Sequence, residues 1–534
     1  MFPLDTEKPD LILFNANILT VDDAQPRAQA VAISNGRFIA VGSNSDVSHL
    51  ATPASRKIDL AGKTVLPGFI DAHCHPSSAG LDMVIAVDCD LPSIAAIQAA
   101  LRARAAKTPA TEWVFGSKYD DTKGAEGRML TRSDLDNAVP DHPVAVRHRG
   151  GHTWFYNSAA FRIAGIDEKT PDPPGGKFDR DPTTGKLTDR AADRANALFE
   201  KLMPDTATRE NRREGIKLIS KAMARAGITS IGDATCVPDD LRAYQDARDA
   251  GDLSFRAYCL MRYEHLDKMI AAGLRTGLGD EFVRVGACKL FADGSISERT
   301  ARLSTPYEGS TDYLGLLVAT EQEQFERSRK VHVAGWQIAT HANGDVAIDQ
   351  TLRIYERLHR ESPHRDPRFR LEHCTLLNDA LIARIRALGA IPTPFSSYVY
   401  FHGEKMHFYG EERLTHMFAL RSLIDAGIRP TQASDYTASP YEPMMALQSE
   451  VTRTDTTGHV WGGNQRISVE EAIRVGTMNG AYASYEENTK GSITAGKLAD
   501  LVVLGRDPVR EPPSTLITIP IERTMLGGRW SFES

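Results

Sequence analysis

Residues 64–75 read TVLPGFIDAHCH, and the interpretation of the whole chain begins from this stretch. An apolar run, interrupted by Pro67-Gly68, leads into His73 and His75. The run is typical of a buried strand, in which residues i and i+2 lie on one face, so both imidazoles point the same way. At the carboxyl end of a buried parallel strand this spacing predicts a metal site. An incidental pair of histidines is the alternative.

Composition excludes several functional classes. The 534 residues are 41% hydrophobic and 25% charged, with a formal net charge of -7, so nothing indicates nucleic-acid binding. No apolar run is long enough to span a membrane, and the first residues do not resemble a signal peptide. The six cysteines lie far apart, which favours free thiols. We expect a cytoplasmic protein with neither a nucleic-acid nor a membrane partner.

Segments of strand and helix character alternate through the middle of the chain. After the opening strand, seven more strands are predicted, at residues 227–231, 255–259, 283–290, 336–341, 369–373, 390–393 and 428–432. Helical periodicity lies between them, for example at 214–226 and 321–334. Eight alternating units predict an α/β fold, a (β/α)8 barrel of TIM type.

Short apolar segments at both ends of the chain flank the predicted barrel, residues 64–484. Neither set has enough core to be stable alone, so we expect one small β-sandwich satellite built from residues 1–63 and 485–534. The connection between the first two barrel strands is far longer than an ordinary loop. We interpret residues 80–208 as an insertion at the active face that carries substrate contacts.

Further candidate ligands fall on the predicted barrel strands. Lys289 lies in the fourth strand, His341 ends the fifth, His373 ends the sixth, and Asp435 follows the eighth. Because the carboxyl ends of barrel strands meet at one face, we expect these side chains to lie near the histidine pair. Neutral imidazoles and carboxylates suit Zn²⁺, which leaves a position for water in catalytic sites.

With these residues in place, the sequence resembles the metal-dependent amidohydrolase superfamily, and within it the YtcJ-like branch that includes N-substituted formamide deformylases. The resemblance covers nearly the whole chain, and the signature residues match at 71–75, Lys289, His341, His373 and Asp435. It implies a zinc-dependent hydrolase of carbon–nitrogen bonds.

The number of metal ions stays open. The resemblance implies that Lys289 is an N6-carboxylysine, whose carbamate bridges two Zn²⁺ ions. A lysine paired with a carboxylate such as Asp293 is one alternative, and a single ion beside an unmodified Lys289 is another. With two ions, one would be bound by His73, His75 and Asp435, and the other by His341 and His373.

Catalytic and substrate-binding roles follow from position. Asp435 is the predicted general base, which takes a proton from water and returns it to the departing nitrogen; a helix cap is the alternative. His152 of the insertion is a candidate oxyanion donor, or else a structural histidine. Four aromatic residues are candidate substrate contacts, with packing inside the protein as the alternative: Trp154, Phe395, Tyr398 and Tyr400.

We therefore expect a metal-dependent hydrolase that cleaves a small-molecule N-substituted amide or formamide with metal-activated water. Two alternatives are kept. One is a hydratase or lyase that uses the same site on a carbonyl substrate. The other is a binding or regulatory protein of the same fold, although such a protein has no physical reason to keep Asp435 beside four histidines. The sequence leaves homo-oligomerisation open.

Overall fold

The computed structural model describes residues 8–151, 153–173, 176–181 and 183–534. The chain forms two compact units: the described residues up to Pro76 together with Ile219–Ser534, and Ser77–Leu218. Within the described ranges, no helix has the length and apolar composition needed to cross a membrane.

A seven-stranded parallel sheet forms the centre of the first unit. Its strands, in chain order, are β1 (Phe69–Cys74), β2 (Ile228–Cys236), β3 (Arg256–Arg262), β4 (Val283–Phe291), β5 (Ile338–Ala342), β6 (Arg370–His373) and β7 (Ile391–Thr393). Each strand pairs with the next, so the order in the sheet is the order in the chain. The strands are buried along most of their length, as parallel strands covered by helices are. This confirms the predicted TIM-like α/β barrel.

Helices follow the barrel strands, as the alternating pattern predicts. The main ones are Arg209–Arg225, Pro238–Asp249, Glu321–Val333, Asp345–Glu361, Asp379–Leu388, Pro443–Thr452, Val469–Val475 and Met478–Ala483. Shorter helices are Leu266–Ala271, Tyr398–Phe401, Gly410–Leu414 and Leu420–Asp425.

The predicted eighth strand, at residues 428–432, is wrong. Thr431 donates its N–H to Pro392 O, but Gln432 donates its N–H to Val475 O. Val475 ends a helix, so the Gln432 bond is not part of a strand ladder, and residues 428–432 are not a strand.

The same part of the chain still closes the barrel. Residues 431–435, which we call the closing segment, lie beside β1. Ala72 N donates to Gln432 O at 2.9 Å, and Asp435 N donates to His73 O at 2.9 Å. These two backbone hydrogen bonds hold the closing segment beside β1 in place of a regular strand ladder. They bring the end of the closing segment to the end of β1.

Strands from both ends of the chain share one six-stranded sheet. Its order is Arg529–Glu533, Ile521–Leu526, Leu501–Leu504, Thr64–Pro67, Asn17–Leu19 and Arg27–Ala28. A four-stranded sheet has the order Arg37–Gly42, Ala30–Ser34, Leu11–Phe14 and Arg56–Asp59. One buried apolar cluster contains side chains from both sheets, among them Leu13, Val65 and Leu501.

The second unit has a sheet of its own. Its six strands have the order Gly176–Arg180, Leu187–Asp193, Thr153–Tyr156, Val144–His148, Val114–Tyr119 and Ala86–Asp88. Helices Ile94–Ala105, Arg132–Ala138 and Ser158–Ala164 accompany it. Buried side chains such as Leu101, Leu135 and Val144 form one of its cores.

One buried carboxyl makes the stability of the first unit depend on pH. Glu450, in helix Pro443–Thr452, is 2% exposed. Burial raises its pKa from 4.5 to about 8, against the smaller lowering effect of the Ser396 hydroxyl. The folded protein therefore holds the protonated form of Glu450 across a pH range in which the unfolded chain ionises it.

Replacing this carboxyl should change the pH dependence of unfolding. Below pH 4.5 both states bind the proton, so E450Q and the wild type should differ little in this respect. Between pH 4.5 and 8 only the unfolded state releases the proton. The free energy of unfolding of the wild type should therefore fall by up to about 1.4 kcal/mol per pH unit relative to that of E450Q, with no further fall above pH 8. Urea midpoints of both proteins at pH 5, 7 and 9 measure this. Parallel curves would contradict it.

Candidate metal centre

Three predicted ligands meet at the end of the barrel where β1, β6 and the closing segment finish. His73, His373 and Asp435 each offer one ligand atom, and these atoms lie within 4.8 Å of one another. Both histidines are buried and Asp435 is partly exposed. The group therefore lies mostly inside the protein and is exposed to solvent at the Asp435 side chain, which is 16% exposed.

Two more predicted residues join this group. His75 Nε2 lies 2.9 Å from Asp435 Oδ1. Lys289 Nζ lies 3.3 Å from His73 Nε2. Burial lowers the pKa of Lys289 to about 8, although nearby carboxylates oppose the shift. A lysine with this pKa is neutral far more often near pH 7 than an exposed one.

Asp293, the alternative partner of Lys289, is occupied by other groups. Its carboxylate accepts backbone N–H bonds from Arg302, Asn343 and Gly344 at 2.8–2.9 Å. Asp293 therefore anchors the turns that follow β4 and β5, and its oxygens are used by these backbone groups.

His341 approaches the group without pointing its Nε2 into it. Its ring centroid is 4.5 Å from that of His373. Its Nε2 lies 3.0 Å from Gly294 O. Burial lowers the pKa of His341 to about 3 and also lowers the pKa of His373, so both rings are neutral, which is the form that binds metals. A metal role for His341 stays a prediction.

The backbone is strained at the ends of β6 and the closing segment. His373 has φ 70°, Cys374 has φ 42° and Asp435 has φ 53°, all in the left-handed region that residues other than glycine rarely adopt. Each such residue costs of order 1–3 kcal/mol and persists where surrounding contacts enforce it. Here the strain coincides with two candidate ligands, as is common at functional sites.

The donor set fits a metal ion. The Nδ1 atom of His373 is buried and has no hydrogen-bond partner within the described part of the chain. A buried nitrogen without a partner needs an explanation, and a bound metal ion would provide one. Burial alone would raise the pKa of Asp435, but His373, His73 and His75 hold it well below its usual value. An ionised carboxylate with neutral imidazoles is a set that Zn²⁺ prefers.

Comparison with known proteins agrees with this site. The Amidohydrolase family matches residues 56–532. The chain belongs to the amidohydrolase family. It is 32% identical to an N-substituted formamide deformylase of Arthrobacter pascens, over 99% of each chain. It is 29% identical to the putative amidohydrolase YtcJ of Bacillus subtilis (strain 168), over 97% of this chain and 98% of the relative.

A solved structure shares the fold of this amidohydrolase. The crystal structure of an uncharacterized metal-dependent hydrolase from Pyrococcus horikoshii OT3 superposes with a TM-score of 0.77 at 24% identity, covering 94% of this chain and 99% of that one. Together, these findings confirm the predicted class of enzyme: a metal-dependent hydrolase of carbon–nitrogen bonds.

Sequence reasoning missed a buried ion pair behind His73. Glu372 accepts a hydrogen bond from His73 Nδ1, and the Arg370 guanidinium donates to both of its carboxylate oxygens, at 2.6 and 3.0 Å. Burial alone would raise the pKa of Glu372, but Arg370 and His73 hold it well below its usual value. The available signal was a pair of opposite charges two residues apart in a predicted buried strand, since such residues share a face.

The aromatic segment after β7 divides between the site and the core. The Phe395 ring stacks on His373 with centroids 4.4 Å apart. Tyr398 is 1% exposed, its hydroxyl bonds Ser297, and its ring packs on Phe418. These contacts agree with the alternative given above, that it packs inside the protein. Tyr400 is partly exposed in helix Tyr398–Phe401.

Two candidate residues belong to the insertion. His152 lies outside the described residues. Trp154 is in the second unit, where its ring stacks on Tyr156 at 6.3 Å and contacts the Arg147 guanidinium. Their predicted roles stay predictions.

A second aromatic residue of the amidohydrolase site was also missed. Phe291 is two residues after Lys289 in β4, so it lies on the same face, one step nearer the mouth of the barrel. Its ring is 5.5 Å from the His341 ring and 5.1 Å from Lys289 Nζ, and the residue is 38% exposed. An exposed phenyl ring in this place offers an apolar surface beside the candidate ligands.

Removal of one candidate ligand tests the centre directly. H373A should weaken zinc binding strongly, because it removes a residue that would bind the metal directly. The loss should exceed the roughly 10–100-fold that is typical when only a hydrogen-bond partner of a ligand is removed. Metal analysis of purified protein and competition titration of apoprotein measure this. H407A, which changes an exposed histidine, is the matched control and should bind zinc as the wild type does. Equal affinities in all three proteins would exclude His373 as a ligand.

Proposed function

We propose that this amidohydrolase hydrolyses the carbon–nitrogen bond of an N-substituted amide or formamide, with zinc as its metal. The observation that carries the proposal is the group of His73, His373 and Asp435, in which an ionised carboxylate lies beside two buried imidazoles. The full-length similarity to an N-substituted formamide deformylase supports the choice of substrate class.

Asp435 carries the proton transfers in this proposal. When bound, Zn²⁺ lowers the pKa of water to about 7 and polarises the carbonyl group. The Asp435 carboxylate accepts a proton as the water oxygen adds to the carbonyl carbon, and it delivers that proton to the nitrogen as the carbon–nitrogen bond breaks. The products are a carboxylic acid, formic acid in the case of a formamide, and an amine. His75 holds the Asp435 carboxylate in place at 2.9 Å.

Lys289 is the residue on which the number of metal ions depends. Its neutral amine can add carbon dioxide and lose a proton, which yields a carbamate with two oxygens. The lowered pKa of Lys289 supports this proposal because it increases the neutral fraction. A carboxylated Lys289 would hold two ions jointly, with His341 and His373 as ligands of the second; an unmodified lysine would leave one.

The substrate contacts that we propose are Phe395, Tyr400 and Phe291. Phe395 stacks on a candidate ligand, and Phe291 is exposed on the face of Lys289. These rings suit an apolar substituent on the amide nitrogen. The predicted roles of His152 as oxyanion donor and Trp154 as substrate contact rest on the sequence.

The predicted domain organisation and location rest on the sequence and become part of the proposal. We propose a β-sandwich satellite from residues 1–63 and 485–534 around a barrel of residues 64–484, with residues 80–208 as the insertion. The strands that the two chain ends contribute to one sheet support the satellite. We also propose a cytoplasmic location.

An activity screen tests the proposed reaction. Purified protein should convert N-substituted formamides or amides into acid and amine in equal amounts, and a chelator should abolish turnover until Zn²⁺ is restored. Enoyl and hydroxy acids, incubated in parallel, test the hydratase or lyase alternative. Turnover of those acids with none of the amides would contradict the proposal.

Chain length of the substituent tests the role of Phe291. F291A should lower kcat/KM for N-butylformamide about tenfold more than for N-methylformamide, because a difference of about 1.4 kcal/mol in apolar contact is a tenfold change. V333S, which alters a 62% exposed residue in helix Glu321–Val333, is the control and should leave the ratio unchanged. An equal loss for both substrates in F291A would exclude Phe291 as a contact of the substituent.

A further inference from the structure

The two ring nitrogens of His73 have different surroundings. Nδ1 faces the Glu372 carboxylate. Nε2 lies 3.4 Å from Asp435 Oδ1 and 3.3 Å from Lys289 Nζ, on the side of the candidate ligands. A neutral imidazole carries a hydrogen on one nitrogen and a lone pair on the other, and a metal binds only the lone pair. The partner of Nδ1 therefore decides what Nε2 can do.

Glu372 can only accept a hydrogen bond from His73. Arg370 donates to both carboxylate oxygens, and the three side chains are buried. Two N–H···O bonds from a guanidinium keep the carboxylate ionised, and an ionised carboxylate has no hydrogen to give. Nδ1 of His73 must then carry a hydrogen, and in the neutral ring, the form that binds a metal, the lone pair is on Nε2.

Arg370 also fixes the strand that carries His73. Its Nη2 donates to Ala72 O at 2.8 Å, next to His73 in β1. β1 and β6 are not neighbours in the sheet, so the guanidinium spans the interior of the barrel between them. The same side chain thus holds the Glu372 carboxylate and the backbone beside the imidazole.

We propose that Glu372, held by Arg370, is a positioning residue that fixes the tautomer of His73 and presents Nε2 to the metal. The inference rests on the proposed metal role of His73 and goes beyond it, because it names the residue that makes one nitrogen, and not the other, the ligand. Neither Glu372 nor Arg370 belongs to the group of candidate ligands. Their effect reaches the metal through the His73 ring.

Two variants separate this role from a merely structural one. E372Q keeps the size of the side chain and removes its charge, and the new amide N–H₂ can donate to Nδ1 and favour the wrong tautomer. R370M/E372L removes the whole ion pair, which avoids a lone buried charge and so protects folding. R256M/D500L is the matched control, since Arg256 and Asp500 also form a buried, doubly hydrogen-bonded pair.

Zinc affinity is the first readout. Competition titration of the apoproteins should show affinities about 10–100-fold weaker than wild type for E372Q and R370M/E372L, as is typical when an outer partner of a metal-binding histidine is lost. R256M/D500L should bind zinc as the wild type does. Wild-type affinity in both folded Glu372 variants would overturn the inference.

The tautomer itself is the second readout, and a structural role would not change it. In apoprotein labelled with ¹⁵N-histidine, the His73 signals, assigned by their absence in H73A, should report hydrogen on Nδ1 in the wild type and a mixture or reversal in the two variants. An unchanged tautomer would overturn the inference. A wild-type protein that binds no zinc would instead contradict the proposed function, and the tautomer measurement would still decide the role of Glu372.

Discussion

The hydrogen bond from Asp435 N to His73 O is the contact on which the candidate site depends. It joins the last predicted ligand in the chain to the first, and with the bond from Ala72 N to Gln432 O it replaces an eighth strand ladder. Both bonds involve backbone groups, so they specify position whatever the side chains are. Further bonds hold the closing segment, among them Ser434 N–H to the Asp71 carboxylate at 3.1 Å, and such contacts enforce the strained φ of 53° at Asp435.

Removal from water has a common effect on the groups around this contact. Burial lowers the pKa values of Lys289, His341 and His373, and each group becomes more neutral as a result. Neutral nitrogen is the form that binds a metal or adds carbon dioxide. The carboxylates of Asp435 and Glu372 stay ionised only because imidazole or guanidinium groups compensate their burial. Burial thus favours the neutral nitrogens, and neighbouring imidazole or guanidinium groups preserve the ionised carboxylates against it.

Much of this arrangement could be predicted from the sequence, and the exceptions have physical reasons. Apolar runs and their spacing locate strands, and the geometry of parallel strands brings His73, His373 and Asp435 to one edge. The spacing of residues in the sequence does not specify side-chain rotation. The contact of His341 Nε2 with Gly294 O could therefore not be predicted from the sequence. Whether an aromatic ring such as that of Tyr398 faces the core or the site depends on helices that form after β7, so the sequence leaves both alternatives open.

The sheet shared by the chain ends also constrains when this protein can become folded. Thr64–Pro67, directly before β1, is hydrogen-bonded to Leu501–Leu504. A ribosome that adds about 5–20 residues per second needs roughly 20–90 s to travel from one strand to the other. Throughout that interval the nascent chain exposes an unpaired apolar strand edge next to its first metal-ligand histidines. Because of this topology, that strand edge needs protection during translation.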